Sequence, residues 1–202
     1  KDTIKNHKRI IFNGNGYDDS WVKEAESRGL LNLKTTPDAL PYFKTEENIA
    51  LFERQKVLSK EEVESRYEIL MDEYEKQINI EALTMLDIAK KDILPAASKF
   101  SKELTDTIAN KKAIGIDLTY ELETAKKISE YLTEAYQAMM TLENDVKKLH
   151  EIDDFEKSAF YVRDFIIQDM AALRKPCDEL EVITSNSDWP FPTYGKLLFG
   201  IQ

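Results

Sequence analysis

Residues 128–149 read ISEYLTEAYQAMMTLENDVKKL, the most regular stretch of this chain. Apolar residues recur there at alternating spacings of four and three, at Ile128, Leu132, Ala135, Met139, Leu142, Val146 and Leu149. This heptad seam predicts a long helix packed along other helices, with an intramolecular core favoured over an oligomer interface. Leu118, Leu122 and Ala125 extend the stripe upstream, and Glu121 is expected on the exposed face.

Two further long helices are predicted on either side of the seam. Ser59-Lys60-Glu61-Glu62 is a capping box that starts the first helix. Its apolar stripe is Val63, Tyr67, Leu70, Tyr74 and Ile78. Pro95 is expected to kink or interrupt this helix, and Gly115 to mark the break before the seam. The last helix is predicted from about Phe155 to Ile183 with a bend at Pro176, and its stripe is Phe155, Ala159, Val162, Ile166, Met170, Leu173, Cys177 and Leu180.

Shorter elements are predicted before and after these helices. Residues 9–16, RIIFNGNG, predict a short strand and a tight turn, because Asn-Gly pairs tolerate positive φ. Short helices come next, since capping residues precede each of them. They are expected over Ser20–Arg28 after Asp18 or Asp19, from Thr36 to a stop at Pro41, and from Thr45 to Arg54. The tail Trp189-Pro190-Phe191-Pro192-Thr193-Tyr194 is predicted to be non-helical.

The predicted fold class is mainly α: an antiparallel bundle of long helices preceded by a short strand, a turn and short helices. Glycine and proline number only 12 of 202 residues, about half the usual share, which fits long helices and disfavours a β-sandwich or barrel. We expect three parts. Residues 1–58 form the first part, residues 59–185 the bundle, and residues 186–202 an aromatic tail that docks on the bundle or on a neighbouring subunit.

Composition narrows the class of partner. The net charge is −10, and residues 59–202 alone carry −11, so nucleic acid is an unfavourable partner. No run of about 18 apolar residues is present, so no membrane partner is expected. Cys177 is the single cysteine, which excludes a disulfide framework and favours a reducing, cytoplasmic location.

The motifs that could carry chemistry are incomplete. A Walker loop needs Lys-Ser or Lys-Thr after its last glycine, but Tyr17 and Asp18 follow Gly16, so a plain turn is favoured. His7 and His150 are isolated, and a dimetal bundle would need Glu-x-x-His where position 147 is Lys. The glutamates at helical spacing indicate a solvated face, and Cys177 lies on an apolar stripe. No catalytic, cofactor-binding or metal-binding residue is therefore assigned.

Several longer strings resemble the C-terminal part of type III glutamine synthetases, the large bacterial form of that enzyme. The resemblance runs through most of the chain and is weakest over residues 100–150. The strings that carry it are His7–Tyr17 (HKRIIFNGNGY), Arg28–Leu33 (RGLLNL), Thr36–Phe43 (TPDALPYF), Ser65–Glu68 (SRYE), Asn79–Met85 (NIEALTM), Ile93–Ala96 (ILPA) and Trp189–Gly195 (WPFPTYG).

The resemblance implies a longer parent enzyme that joins glutamate and ammonia into glutamine with ATP. Mg²⁺ or Mn²⁺ would be held by motifs upstream of this chain, so the fragment itself would hold no cofactor and would be inactive alone. Residues 30–58 would close the catalytic fold, and residues 59–202 would be a helical appendage. Its partners would be its own catalytic domain and neighbouring subunits of a stacked-ring homo-oligomer.

Two other interpretations stay open. The heptad seam and the acidic surface also suit a free-standing helical protein-interaction module. A metal-dependent bundle enzyme has little support without a set of ligands.

Overall fold

The computed structural model describes residues 1–200, and within them every regular element is a helix or a helical turn. The described chain divides into two compact units, residues 1–67 and residues 68–200, which we call the N-terminal unit and the bundle unit. No helix among the described residues has the length and apolar character needed to cross a membrane. The mainly helical fold class is thus confirmed.

The N-terminal unit consists of short helices. They are α1 (Asp2–Asn6), a 3₁₀ turn (Lys8–Ile10), α2 (Asp19–Ser27), α3 (Thr36–Phe43), α4 (Glu46–Arg54) and the start of α5 (Lys60–Ile88). Side-chain caps begin α2, α3 and α4, since Asp18, Thr35 and Thr45 each accept a hydrogen bond from a first-turn N–H. Gly29 ends α2 with a φ of 74°, the left-handed conformation that glycine adopts most readily at the end of a helix.

The strand predicted at the start of residues 9–16 does not form, and this prediction was wrong. The Arg28 guanidinium instead donates hydrogen bonds to the carbonyl oxygens of Ile11 (2.8 Å) and Arg9 (3.3 Å). A strand needs a neighbouring strand to take up its backbone groups, and here a side chain satisfies two carbonyls. The Phe12 ring stacks on Trp21 with centroids 4.0 Å apart, which holds the segment against α2.

The prolines do not end helices where the sequence predicts. Helix α3 continues through Pro41 to Phe43, and its cap is Thr35 rather than Thr36. In the bundle unit, α5 passes through a π-turn (Ala89–Ile93) into α6 (Leu94–Ala113) without a break at Pro95. The π-turn takes up the disturbance, because the Leu94 N–H bonds to the Ala89 carbonyl one residue further back than in an α-helix.

Two long helical segments complete the bundle. Helix α7 (Thr119–Leu149) packs along α6 and, most extensively, along α9. The last segment is α8 (Phe155–Tyr161), a π-turn (Val162–Ile166) and α9 (Ile167–Ile183), which matches the predicted range and stays helical through Pro176. The connections over residues 114–118 and 150–154 are short, which makes successive segments antiparallel. Gly115 begins the first connection with a φ of 73°.

The core follows the predicted stripes with two corrections. The seam residues of α7 and most of the stripe of α8 and α9 are buried in one cluster. On α5 the buried residue after Tyr67 is Met71, and Leu70 is exposed. On α7 the seven-residue repeat reaches back from Ile128 to Glu121, so Glu121 is buried and Leu122 is exposed. Lys111 forms an ion pair with Glu121, and this pairing offsets part of the cost of burying the Glu121 carboxylate.

The tail is helical at its end. Residues 189–193 are irregular as predicted, but α10 (Tyr194–Phe199) starts at Tyr194, where Thr193 caps it. Trp189 packs against the core cluster of the bundle, and Phe191 meets it edge-on at 6.2 Å.

Candidate functional site

Two aspartates inside the bundle form the most unusual polar environment among the described residues. Asp145 lies on α7 and is only 7% exposed. Asp169 lies on α9, and its carboxyl group lies within hydrogen-bonding reach of that of Asp145. Lys148 Nζ lies 2.5 Å from Asp145 Oδ1, and the Tyr161 hydroxyl donates to the same oxygen at 3.0 Å. We call Asp145, Asp169, Lys148 and Tyr161 the aspartate cluster.

Local structure accounts for this meeting of side chains. Asp145 is three residues after Leu142 and beside Val146, so the seam carries it to the edge of the buried face. Lys148 comes three residues later, at the i,i+3 spacing that brings helix side chains together. Tyr161 ends α8, and the π-turn over Val162–Ile166 separates it from Asp169. The extra residue of a π-turn rotates the next helical segment by about 100°, so it helps set the direction in which Asp169 points.

The pKa values of the two carboxyl groups are shifted in opposite directions. Burial raises the pKa of Asp169 to about 6, and the hydrogen bond to Asp145 and its negative charge act in the same direction. Burial also opposes ionisation of Asp145, but hydrogen bonds from Lys148, Asp169 and Tyr161 outweigh it and hold the Asp145 pKa below its usual value. One carboxylate and one carboxylic acid side by side is the expected state of such a pair.

The glycine turn of the N-terminal unit has a packing role. A Cβ added at Gly14 would lie 2.4 Å from Cζ of the Phe12 ring, so glycine is what allows Phe12 to fold over the turn. Neither Gly14 nor Gly16 has a positive φ, contrary to the reason given for the Asn-Gly pairs. Tyr17, the next residue, is fully exposed.

The histidines and the cysteine lie in separate settings. His7 is exposed, while His150 Nε2 lies 3.2 Å from Asn79 Nδ2 and so links the end of α7 to α5. Burial, followed by the charge of Asp178, raises the pKa of the Cys177 thiol to about 11, so the thiol stays protonated. Within residues 1–200, no three His, Cys, Asp or Glu side chains converge on a possible metal position.

Sequence reasoning missed the aspartate cluster. An available signal was Asp145 itself, a charged residue between the seam positions Leu142 and Val146. Asp169 gave no comparable signal, because the π-turn that helps set its direction leaves no mark in the periodicity. The expectation of a solvated glutamate face holds only in part. Glu121 is buried, and Glu143 forms an ion pair at 2.8 Å with Lys90 of the preceding segment.

Exposed apolar residues form the other notable feature. In the N-terminal unit they include Ile4, Ile10, Leu31 and Val57. In the tail, Tyr194, Leu197, Leu198 and Phe199 are all more than 60% exposed. Exposed apolar side chains at neighbouring positions, as in the tail, are typical of a surface that meets another protein.

These features define an all-α bundle domain joined to a short-helix unit with exposed apolar residues. The chain belongs to the glutamine synthetase C-terminal domain family, whose family model matches residues 1–112.

Curated relatives agree with this assignment. A glutamine synthetase of Butyrivibrio fibrisolvens is 40% identical over 204 residues, covering 100% of this chain and 29% of the relative. A type-3 glutamine synthetase of Dictyostelium discoideum is 34% identical and covers 98% of this chain and 28% of the relative. A glutamine synthetase of Bacteroides fragilis is 26% identical with 98% and 28% covered. The chain thus spans less than a third of the length of these relatives, and the resemblance to type III enzymes is confirmed.

Proposed function

We propose that this chain is a structural and assembly domain of a glutamine synthetase, without an active site of its own. Other regions of the parent would join glutamate and ammonia into glutamine with ATP and Mg²⁺ or Mn²⁺. The partners would be the parent's catalytic domain and neighbouring subunits of a stacked-ring homo-oligomer. The proposal rests on family membership and on the relatives' names, together with the surfaces described above.

The observation that carries the assembly role is the poor core of the N-terminal unit. Its buried apolar residues are Pro37, Val63 and Tyr67. Its exposed large hydrophobic residues are Ile4, Ile10, Ile11, Tyr17, Val22, Leu31, Tyr42, Leu51 and Val57. Short helices with so little buried area gain most of their stability from an external surface. The catalytic region of the same subunit is the surface we propose.

The tail supports a second contact, between subunits. Trp189 holds the start of the tail on the bundle, but Leu198 beyond it is 74% exposed. A short helix of leucine and phenylalanine at the end of a proline-rich segment is suited to dock on a neighbour, because the prolines lower the entropy lost on ordering. A cytoplasmic location and a bacterial source stay predictions.

The assembly role is tested in the full-length synthetase by combining Leu197→Ser with Leu198→Ser. We expect this variant to shift the particle mass, measured by light scattering after size exclusion, towards smaller species. Val182→Ser is a matched control, because Val182 is equally exposed but lies on α9. An unchanged particle mass in the double variant would contradict the role of the tail.

The lack of an active site is tested separately on the 202-residue chain. We expect no ATP-dependent glutamine formation above background, while the full-length enzyme under the same conditions turns over. Clear turnover by the isolated chain would overturn this part of the proposal.

A further inference from the structure

We propose that Asp145 and Asp169 share one proton and form a pH-sensitive clasp between α7 and the segment α8–α9. This inference does not depend on the proposed function, because it concerns only side chains inside the bundle. Below the pH at which the shared proton leaves, the clasp is closed. Above it, two carboxylates face each other and the clasp weakens.

A hydrogen bond between Asp145 and Asp169 requires a proton on one of the two carboxyl groups. A carboxylate is an acceptor only, so a hydrogen bond between two carboxyl groups exists only when one of them is protonated. Asp145 already accepts from Lys148 and Tyr161 at its Oδ1 atom. Asp169 Oδ2, in contrast, is buried and receives no hydrogen bond from any donor among the described residues. The proton therefore belongs on Asp169, which then donates to Asp145.

The charges that act on the pair do not compensate for a second negative charge. The titratable groups that face Asp169 of α9 are Asp145 and Lys148 on α7 and Tyr161 on α8. Of these, Lys148 is the one cation, and its ammonium lies against Asp145. The neutral Tyr161 hydroxyl is also directed at Asp145, and the Tyr161 ring packs on Phe165 at 4.7 Å. The pKa of Asp169, raised to about 6, agrees with this arrangement.

The sign of the pH effect is set by proton binding. In the unfolded chain Asp169 releases its proton near pH 4, whereas in the folded chain it releases the proton near pH 6. Between these values the folded chain holds more protons, so its stability falls as the pH rises from about 4 to 6 and then levels off. The clasp lies beside the π-turn over Val162–Ile166, where π-type hydrogen bonds already replace the regular α-helical ones.

The direct test is a titration of the side-chain carboxyl carbons by NMR in the wild-type chain. We expect Asp169 to titrate at about pH 6. Titration of Asp169 near the ordinary aspartate value of about 4 would overturn the proposal. This experiment needs no substitution, so it gives an answer even if a variant fails to fold.

The second test compares Asp169→Asn with Asp178→Asn. Asparagine keeps the size of the side chain and can donate to Asp145, but it carries no charge at any pH. Asp178 is an exposed residue on the same helix, paired with Arg174 at 3.2 Å, and so serves as the matched control. Thermal midpoints are measured between pH 5 and pH 8.

We expect the midpoint of the wild-type chain to fall relative to that of Asp169→Asn by about 3–6 °C between pH 5 and pH 7.5. Asp178→Asn should behave like the wild type across the range. Parallel curves for Asp169→Asn and the wild type would show that the pair holds no titrating proton and would refute the clasp.

Discussion

The N-terminal unit and the bundle unit differ in how many apolar side chains they bury. The bundle unit encloses a continuous cluster along α6, α7 and α9. The N-terminal unit, by contrast, buries only Pro37, Val63 and Tyr67 among its apolar residues. We therefore expect the bundle unit to fold on its own, and the N-terminal unit to need a surface outside this chain, as proposed above.

The difference originates in element length. Helix α7 is 31 residues long and repeats its apolar positions from Ala125 to Leu149, over more than three heptads. The helices α2, α3 and α4 have nine, eight and nine residues, below the length at which a helix is stable by itself in water. Their caps set where each helix starts, but caps cannot replace a buried face.

The largest expected effect comes from removing core volume in the bundle unit. Leu142 is fully buried, so Leu142→Ala should lower the free energy of unfolding by about 2–5 kcal/mol. Leu31→Ala removes the same atoms in the N-terminal unit, where Leu31 is 62% exposed. Its effect in the isolated chain should stay within about 0.5 kcal/mol. Urea unfolding followed by circular dichroism measures both values.

The two tryptophans allow each unit to be followed separately. Trp21 lies in the N-terminal unit, and Trp189 packs on the bundle core. In a Trp21→Phe background, fluorescence reports the bundle unit, and in a Trp189→Phe background it reports the N-terminal unit. Comparable losses from Leu31→Ala and Leu142→Ala would break the comparison between the units.

A smaller effect is expected at two glycines that perform the same task. Gly29 ends α2 and Gly115 ends α6, with φ values of 74° and 73°. In both, the N–H of the next residue reaches back to a carbonyl five residues earlier, at 2.9 Å for Leu30 and 3.1 Å for Ile116. An alanine at either position adds about 1–2 kcal/mol of backbone strain.

The two substitutions should nevertheless differ in the transition that they shift. We expect Gly115→Ala to lower the stability of the bundle unit by that amount, because α6 and α7 unfold with the core. Gly29→Ala should shift only the Trp21 signal and leave the Trp189 transition where it is. A shift of both signals by Gly29→Ala would mean that the two units unfold as one.

Much of the bundle was predictable because packing repeats there. Ile128 and its heptad partners led directly to α7, and the stripe from Phe155 to Leu180 led to the segment 155–183. The errors came where tertiary contacts decide. The carbonyls of Arg9 and Ile11 bind the Arg28 side chain instead of a strand, and that partner is 17 to 19 residues away. Pro95 and Pro176 favour interruptions by local rules alone, but the buried faces on both sides keep each helix continuous.

The aspartate cluster lay beyond the reach of periodicity. Asp145 lies next to the heptad seam, which the sequence predicts. Tyr161 and Asp169 lie on either side of the π-turn, which the sequence does not predict. A π-turn depends on packing rather than on a residue signature, so the sequence alone could not bring Asp169 to Asp145. The candidate site therefore forms only through tertiary packing, whereas the helices around it are predictable from the local apolar pattern.

The smallest expected effect locates the boundary between the two units. Ser59 and Glu62 form a reciprocal capping box at the start of α5, with the Ser59 N–H donating to Glu62 Oε2 at 2.7 Å and the Glu62 N–H donating to Ser59 Oγ at 3.3 Å. Ser59→Ala should cost about 1 kcal/mol of helix stability. Because α5 is one uninterrupted helix from Lys60 to Ile88, we expect the loss to appear in the Trp189 transition of the bundle unit.

Thr45→Ala, which removes the cap of the separate helix α4, is the control and should leave that transition unchanged. If Ser59→Ala also leaves it unchanged, the first turns of α5 belong energetically to the N-terminal unit, and the self-sufficient part of the chain begins after residue 67 rather than at residue 59.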